Sequence, residues 1–407
     1  MRAVFYDRQG PAGDVLQSGD LPDPEPARGE VRARVRYSGV NPGDTKKRRG
    51  WLGSSMPFPR VIPHSDAAGF IDAVGEGVDR GRVGQRVWVY GAQSYRPFGT
   101  AAEYTVVPAA SAVALPDNVP DEVGACLGIP GITAHRAVFV DGPVTGATVL
   151  VHGVLGGVGA LAAQLAQWGG ATVIGTVRRS VDLKRAHTTS IPHVVALDDP
   201  HAAAAIRTVA PEGVDRVIEV SLSDNIDLDA AVTKVGTVIA AYATREERPA
   251  VPFWPMLFDN VTIRLLGSDD FPAAAKQQAA RDLTAAAEQS ALSLAIGDPV
   301  PFERTAEAHD RVDAGSRERG HRRNRRVTTI ARQQGLRLCR TSNGSRAVPA
   351  NRLLTGPSSG IARRADRRRP GCSDAQPDPD LPGLHAKIAT VIADARMTPR
   401  LLKDVEP

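Results

Sequence analysis

Between residues 121 and 290 short apolar runs alternate with stretches of helical spacing, and no other feature of the sequence restricts the fold as strongly. The runs cover 148–152, 172–176, 193–197, 214–220, 237–242 and 261–267, and helix-like text at 157–168, 227–234 and 273–290 separates several of them. Neighbouring parallel strands need long crossover connections, so this alternation predicts an α/β domain built on a doubly wound parallel sheet. Upstream the pattern differs. Residues 2–6, 31–40, 69–74, 86–90 and 102–107 cluster or alternate β-formers between turn-rich stretches such as Pro22-Asp-Pro-Glu-Pro26, which predicts a β-rich first domain over 1–120.

The first strand of the α/β region, Val149-Leu-Val-His-Gly153, runs into Val154-Leu-Gly156-Gly157-Val158-Gly159 and then a helix. Glycines let a backbone approach a pyrophosphate closely, and a helix N-terminus offers unbonded N–H groups to the anion. With strand, turn, helix and second strand in order, Gly153, Gly156, Gly157, Val158 and Gly159 are predicted to bind a dinucleotide. An NAD-selective site would place an acidic residue after the second strand, beyond Thr176. Arg178 and Arg179 stand there, with Lys184 nearby, and guanidinium groups favour the 2′-phosphate of NADPH. Tyr242, closing a later sheet strand, sits where open parallel sheets present ligand contacts.

Cys126, Cys339 and Cys372 are too few and too scattered for a disulfide framework or a four-thiolate zinc lobe, and Cys126 in its apolar setting reads as a small core residue. No run of eighteen apolar residues occurs and the N-terminus lacks a signal-peptide stretch, which predicts a cytoplasmic protein without membrane partners.

The formal charge of +5 is unevenly spread. Residues 320–407 hold 18 basic and 7 acidic groups, against 32 and 38 in the preceding 319 residues. This Arg-rich text, with clusters at 322–326 and 363–369, buries too little apolar surface to order itself, so a disordered tail is expected, with at most an isolated helix at 384–397. Its arginines lack interleaved aromatics and predict no specific nucleic-acid partner.

A helix at 299–315 calls for a closing strand, and none is expected from Gly320 onward. Gly320-His-Arg-Arg-Asn-Arg-Arg-Val327 can be encoded by bases that, read one position later, spell Val-Ile-Val-Ala-Ile-Val-Glu. A frameshift near Arg319 is therefore expected to have replaced the strand.

Along the chain stand Gly39-Val-Asn-Pro-Gly-Asp-Thr45, Pro63-His-Ser-Asp-Ala-Ala-Gly69, Gly99-Thr-Ala-Ala-Glu-Tyr104, Gly131-Ile-Thr-Ala-His135, the glycine turn and Glu307-Ala-His309. In these stretches residues 1 to about 315 resemble the zinc-free quinone oxidoreductases, the zeta-crystallin-like branch of the medium-chain dehydrogenase/reductase family. The resemblance implies a GroES-like catalytic domain (1–120, completed by about 291–319) around a Rossmann NADP-binding domain (121–290), and a homodimer. It also implies hydride transfer from NADPH to a quinone or similar electron-poor acceptor, with reduction of an enone or enal C=C bond as the alternative. A different class, a cofactor-responsive nucleic-acid-binding protein using the tail, stays open.

By the same resemblance Asn41 would donate to a substrate carbonyl or the cofactor, Asp44 would hold its loop, and Thr133 would lie beside the nicotinamide. Zinc-dependent relatives carry Cys at the position of Asn41 and a His with a Glu at those of His64 and Asp66. Without the thiolate a catalytic zinc site is incomplete, and no metal is expected. Zinc-free relatives often have Gly where His64 stands.

Overall fold

The computed structural model describes residues 1–187, 189–317 and 329–332, all within a compact unit spanning Met1–Leu338. Apart from residues 329–332, the expected disordered tail lies outside the described residues, as do the helix at 384–397, both arginine clusters and the junction near Arg319.

The first domain is built from β1 (Arg2–Phe5), β2 (Gln17–Asp20), β3 (Glu30–Val40), β4 (Asp66–Val74), β5 (Arg86–Val89), β6 (Tyr104–Pro108) and β7 (Ala112–Ala114). In β3 the buried Val31, Ala33, Val35 and Tyr37 alternate with Arg32, Arg34 and Arg36, so one face of the sheet meets the core and the other water. Two helices interrupt the strands: α1 (Ala12–Val15) and α2 (Pro42–Arg49). The second starts where Asn41 caps it and Pro42 fits its first turn, and stops at Gly50, whose φ of +71° suits glycine.

After α3 (Asp121–Gly124) and α4 (Ile129–Phe139) comes the six-stranded parallel sheet. Its strands are β8 (Thr148–Val151), β9 (Thr172–Val177), β10 (His193–Ala196), β11 (Val214–Glu219), β12 (Thr233–Ala241) and β13 (Thr262–Leu265), in the spatial order β10-β9-β8-β11-β12-β13. Between them run α5 (Gly157–Trp168), α6 (Leu183–Ala186), α7 (Ala202–Val209), α8 (Leu222–Val232) and α9 (Phe253–Phe258), with α10 (Ala273–Glu288) after β13. Both faces are covered. Val149 and Val151 join Ile132, Leu161, Leu165 and Leu283 in one core, while Leu150, Val217 and Ile239 join Ile206, Leu222 and Ile226 in the other.

One expected helix is displaced. The helix read at 227–234 is α8, which starts at Leu222 and ends at Val232, so Lys234 lies in β12. Ser221, whose hydroxyl donates to Asp224 at 2.7 Å, marks a start that apolar spacing alone did not reveal.

The chain then returns to the first domain through β14 (Val300–Pro301) and α11 (Thr305–Arg317), the helix packing on α1 and α2. The expectation that no strand follows is corrected by β15 (Thr329–Arg332), antiparallel to β3, with Thr329 opposite Val40 and Arg332 opposite Tyr37, and parallel to β14. A sheet edge needs backbone donors and acceptors rather than a particular side-chain pattern. Composition averaged over the whole tail hides a four-residue run of this kind. No described helix is long and apolar enough to cross a membrane.

Candidate active site

Asn41 ends β3's excursion and caps α2. It is buried, donates its backbone N–H to Asp44 Oδ2 at 2.7 Å, and donates its side-chain amide to Asp66 Oδ2 at 2.6 Å. Asp66, at the start of β4, accepts from the Ile129 backbone N–H at 2.9 Å through its other oxygen. Thr133, one turn along α4, donates its hydroxyl to Ile129 O at 2.7 Å. Burial pushes the Asp66 carboxyl up to about 8 and that of Asp44 up to about 6, against the pull of the amides that bond each of them.

His64 stands apart from this carboxylate. Its φ of +76° is one that glycine adopts without cost and a histidine rarely does. Its ring is fully buried between Ser38 Oγ, 2.8 Å from Nδ1, and His309 Nε2 of α11, 2.8 Å from Nε2. The donors can be assigned in order. The Arg48 guanidinium, bonded also to Asp313 at 2.9 Å, can only donate, so His309 accepts at Nδ1 (3.3 Å) and must donate from Nε2. His64 then accepts at Nε2 and donates from Nδ1 to Ser38. Ser38 passes its proton to Thr100 at 2.6 Å, and Thr100 donates to the Asp66 carbonyl at 2.8 Å. Such a chain requires both imidazoles neutral. Burial agrees, pushing His64 down to about 3 and His309 well below the ordinary histidine value.

The glycine turn lies at the carboxyl end of β8. Gly153 has φ +67°, and a Cβ on Gly159 would stand 2.3 Å from the Gly153 carbonyl, so neither position tolerates a side chain. The amides of Gly157, Val158 and Gly159 precede the first intrahelical bond of α5, donated by Ala160 to Gly156 O at 2.9 Å, and remain available to an anion.

A buried cluster braces the turn from below. His152 touches Thr176 Oγ1 (3.0 Å), Asp229 (2.8 Å) and Glu219 (3.5 Å), while Gly153 N–H reaches the same Thr176 oxygen at 3.3 Å. Asn225 and the Ser221 backbone N–H both donate to Glu219. Burial opposes charge on His152, yet Asp229 and Glu219 outweigh it and raise its pKa, while burial raises that of Glu219. Among the described residues, His152, Glu219 and Asp229 form the group with metal-donor atoms in mutual reach. Here the His–Asp hydrogen bond takes His152 Nε2 and Asp229 Oδ1, Ser221 and Asn225 donate to Glu219, and Asp229 Oδ2 is buried without a hydrogen-bond partner.

Arg178 is exposed directly after β9, Arg179 is half-buried with Nε 3.3 Å from Asp182, and Lys184 is exposed on α6. Tyr242 follows β12, donates its backbone N–H to Glu219 O at 3.1 Å, and has its phenol pushed above the usual range by burial and by Glu219. Cys126 is buried in the core shared by α4 and α5.

The structure thus joins Asn41, Asp44 and Asp66 directly and Thr133 through Ile129. The glycine turn is joined to Thr176, and through His152 and Glu219 to Tyr242. The chain from Arg48 through His309, His64, Ser38 and Thr100 escaped the sequence reading, although His309 belongs to a quoted motif. So did Glu219 and Asp229. The contacts along the chain from Arg48 to Thr100 span 26 to 261 residues of separation, which no local pattern records.

Comparison with known proteins agrees with this architecture. The family model of the alcohol dehydrogenase GroES-like domain matches residues 27–117, and that named zinc-binding dehydrogenase matches 157–280. The chain is 32% identical over 321 residues to the quinone oxidoreductase of Rattus norvegicus, covering 77% of this chain and 94% of that one. It is 31% identical over 325 residues to that of Homo sapiens, covering 78% and 95%. A mycobacterial protein solved in complex with NADPH superposes with a TM-score of 0.69 at 26% identity, covering 82% of this chain and 100% of its own. The protein belongs to the medium-chain dehydrogenase/reductase family, in its quinone oxidoreductase branch.

Proposed function

We propose that the protein is a zinc-independent, NADPH-dependent reductase of quinones or similar electron-poor acceptors. The observation that carries the reading is the strand-turn-helix at Gly153–Gly159, followed after β9 by Arg178 and Arg179 rather than a carboxylate. The amides of Gly157, Val158 and Gly159 suit the pyrophosphate, and Arg178, Arg179 and Lys184 suit a 2′-phosphate. When bound, the nicotinamide would supply a hydride.

The protein's own part is placement. Asn41 orients an acceptor carbonyl with an amide whose plane is fixed by Asp66, and Thr133 lines the nicotinamide side. Hydride transfer to a quinone needs little acid–base assistance, because water can protonate the developing oxyanion. Zinc is not a fitting cofactor: Asn41 offers an amide where a thiolate is needed, both ring nitrogens of His64 are engaged, and both Asp66 oxygens accept amide protons.

The edge strand β13 exposes Leu265 (78%), and the adjacent α9 exposes Phe253, Trp254 and Phe258 (60, 66 and 72%). An apolar edge of this kind supports pairing with a second copy through the nucleotide-binding sheet, hence a homodimer.

Titration with NADPH and NADH, followed by nicotinamide fluorescence, tests the cofactor. NADPH should bind at least about tenfold more tightly, and a double Arg178→Ala, Arg179→Ala variant should lose that preference. Equal affinities would reject NADPH selectivity. Steady-state assays with paired quinones and enones decide the acceptor.

A further inference from the structure

We propose that Asp66 is a positioning residue that sets the spacing between Asn41 and Thr133 by bonding the loop that bears the first to the helix that bears the second. The inference rests on the reductase reading above. Asp66 is 1% exposed, and its three acceptor atoms each meet a donor from a different segment. Oδ2 takes the Asn41 amide at 2.6 Å, Oδ1 takes the Ile129 N–H at 2.9 Å, and the carbonyl takes the Thr100 hydroxyl at 2.8 Å.

Because an amide is planar, fixing one N–H of Asn41 fixes the direction of its second N–H and of its oxygen. On the other side Ile129 is the first residue of α4, and Thr133 bonds its carbonyl at 2.7 Å. One carboxylate and one helical turn therefore separate the two residues. The fit is close: a Cβ on Gly128 would lie 2.1 Å from Asp66 Oδ1.

The bridge needs a carboxylate. Two N–H donors meet two oxygens, and a proton on either oxygen would oppose one of them. The groups acting on Asp66 are Asn41 at the start of α2, Ile129 of α4, Thr100 before β6, and the charges of Asp44 and Asp269. Asn41 and Ile129 favour ionisation, whereas burial and both aspartates oppose it, so the bridge forms as pH rises through about 8.

The test compares wild type with Asp66→Asn, which places an amide nitrogen against a donor, and with Gly128→Ala, which crowds the carboxylate without removing it. In both variants kcat for a benzoquinone should fall about 10- to 100-fold, while the dissociation constant for NADPH stays within about threefold. The wild-type rise of kcat through pH 8 should vanish in Asp66→Asn. Wild-type kcat in both variants, or NADPH affinity that falls in step with kcat, would overturn the inference. A wild-type protein that binds NADPH yet reduces neither quinones nor enones would overturn the reductase reading and this inference with it.

Discussion

Two fully buried histidines, His64 in the first domain and His152 in the nucleotide-binding domain, are pushed in opposite directions, the first toward a lower pKa and the second toward a higher one. His64 has a second imidazole and a hydroxyl as neighbours, with the Arg48 cation one residue further along; His152 has two carboxylates. Burial disfavours the imidazolium in both. It prevails at His64 and is outweighed at His152. A histidine's role is thus set by what faces it, and a motif that contains one leaves its chemistry open. The His64-Ser-Asp66 stretch looks like half a metal site in the sequence, but in three dimensions the His64 ring and the Asp66 carboxylate face different partners, and the two residues meet only through Ser38, Thr100 and the Asp66 carbonyl.

The contrast can be broken first at Arg48. Arg48→Met removes the donor that orders the neutral chain and leaves Asp313 without it, so urea unfolding should show a loss of about 3–5 kcal/mol. A loss under about 1 kcal/mol would mean that the chain does not depend on its cation. Next in size is Asp229→Asn, which replaces the carboxylate bonded to His152 by a neutral amide. We expect about 2–3 kcal/mol of destabilisation and weaker NADPH binding, because His152 also holds the turn through Thr176. His64→Gln, in the neutral network, should cost about 1–2 kcal/mol and spare NADPH binding. Equal effects of the last two substitutions on the cofactor would erase the difference between the sites.

Acid titration sharpens the same contrast. His64 and His309 have pKa values below those of the unfolded chain, so each withdraws stability as pH falls through about 6.5, by about 2 kcal/mol between pH 7 and 5. Asp66, raised to about 8, works in the opposite sense, because the folded state holds a proton that the unfolded chain has released. The Asp66 term offsets about two thirds of the two histidine terms, so wild-type stability should fall by only about 1 kcal/mol over that interval, whereas that of Asp66→Asn should fall by about 4 kcal/mol. A parallel response of the two proteins would show that Asp66 is not protonated there. The smallest effect concerns the sheet edge. Replacing residues 320–407 by Val-Ile-Val-Ala-Ile-Val-Glu should raise the melting temperature by about 2–4 °C, and an equal midpoint would show that β15 already closes the edge fully.

Much of the nucleotide-binding half was legible. The turn at Gly153–Gly159 is local, and α5 spans 157–168 as its periodicity indicates. Legibility failed wherever a partner lies far along the chain. Asp66 could be read as a loop-fixing group, but not as one reaching residues 25 and 63 positions away. β15 was missed for another reason: Thr329–Arg332 is a short run in text whose average is polar and charged, and a strand of four residues needs only an edge that accepts it.

That strand has a wider bearing. The margin beside β3 makes few demands on the identity of whatever lies along it: peptide groups alone complete the ladder, so side chains at Thr329–Arg332 are free to vary as long as the backbone stays extended.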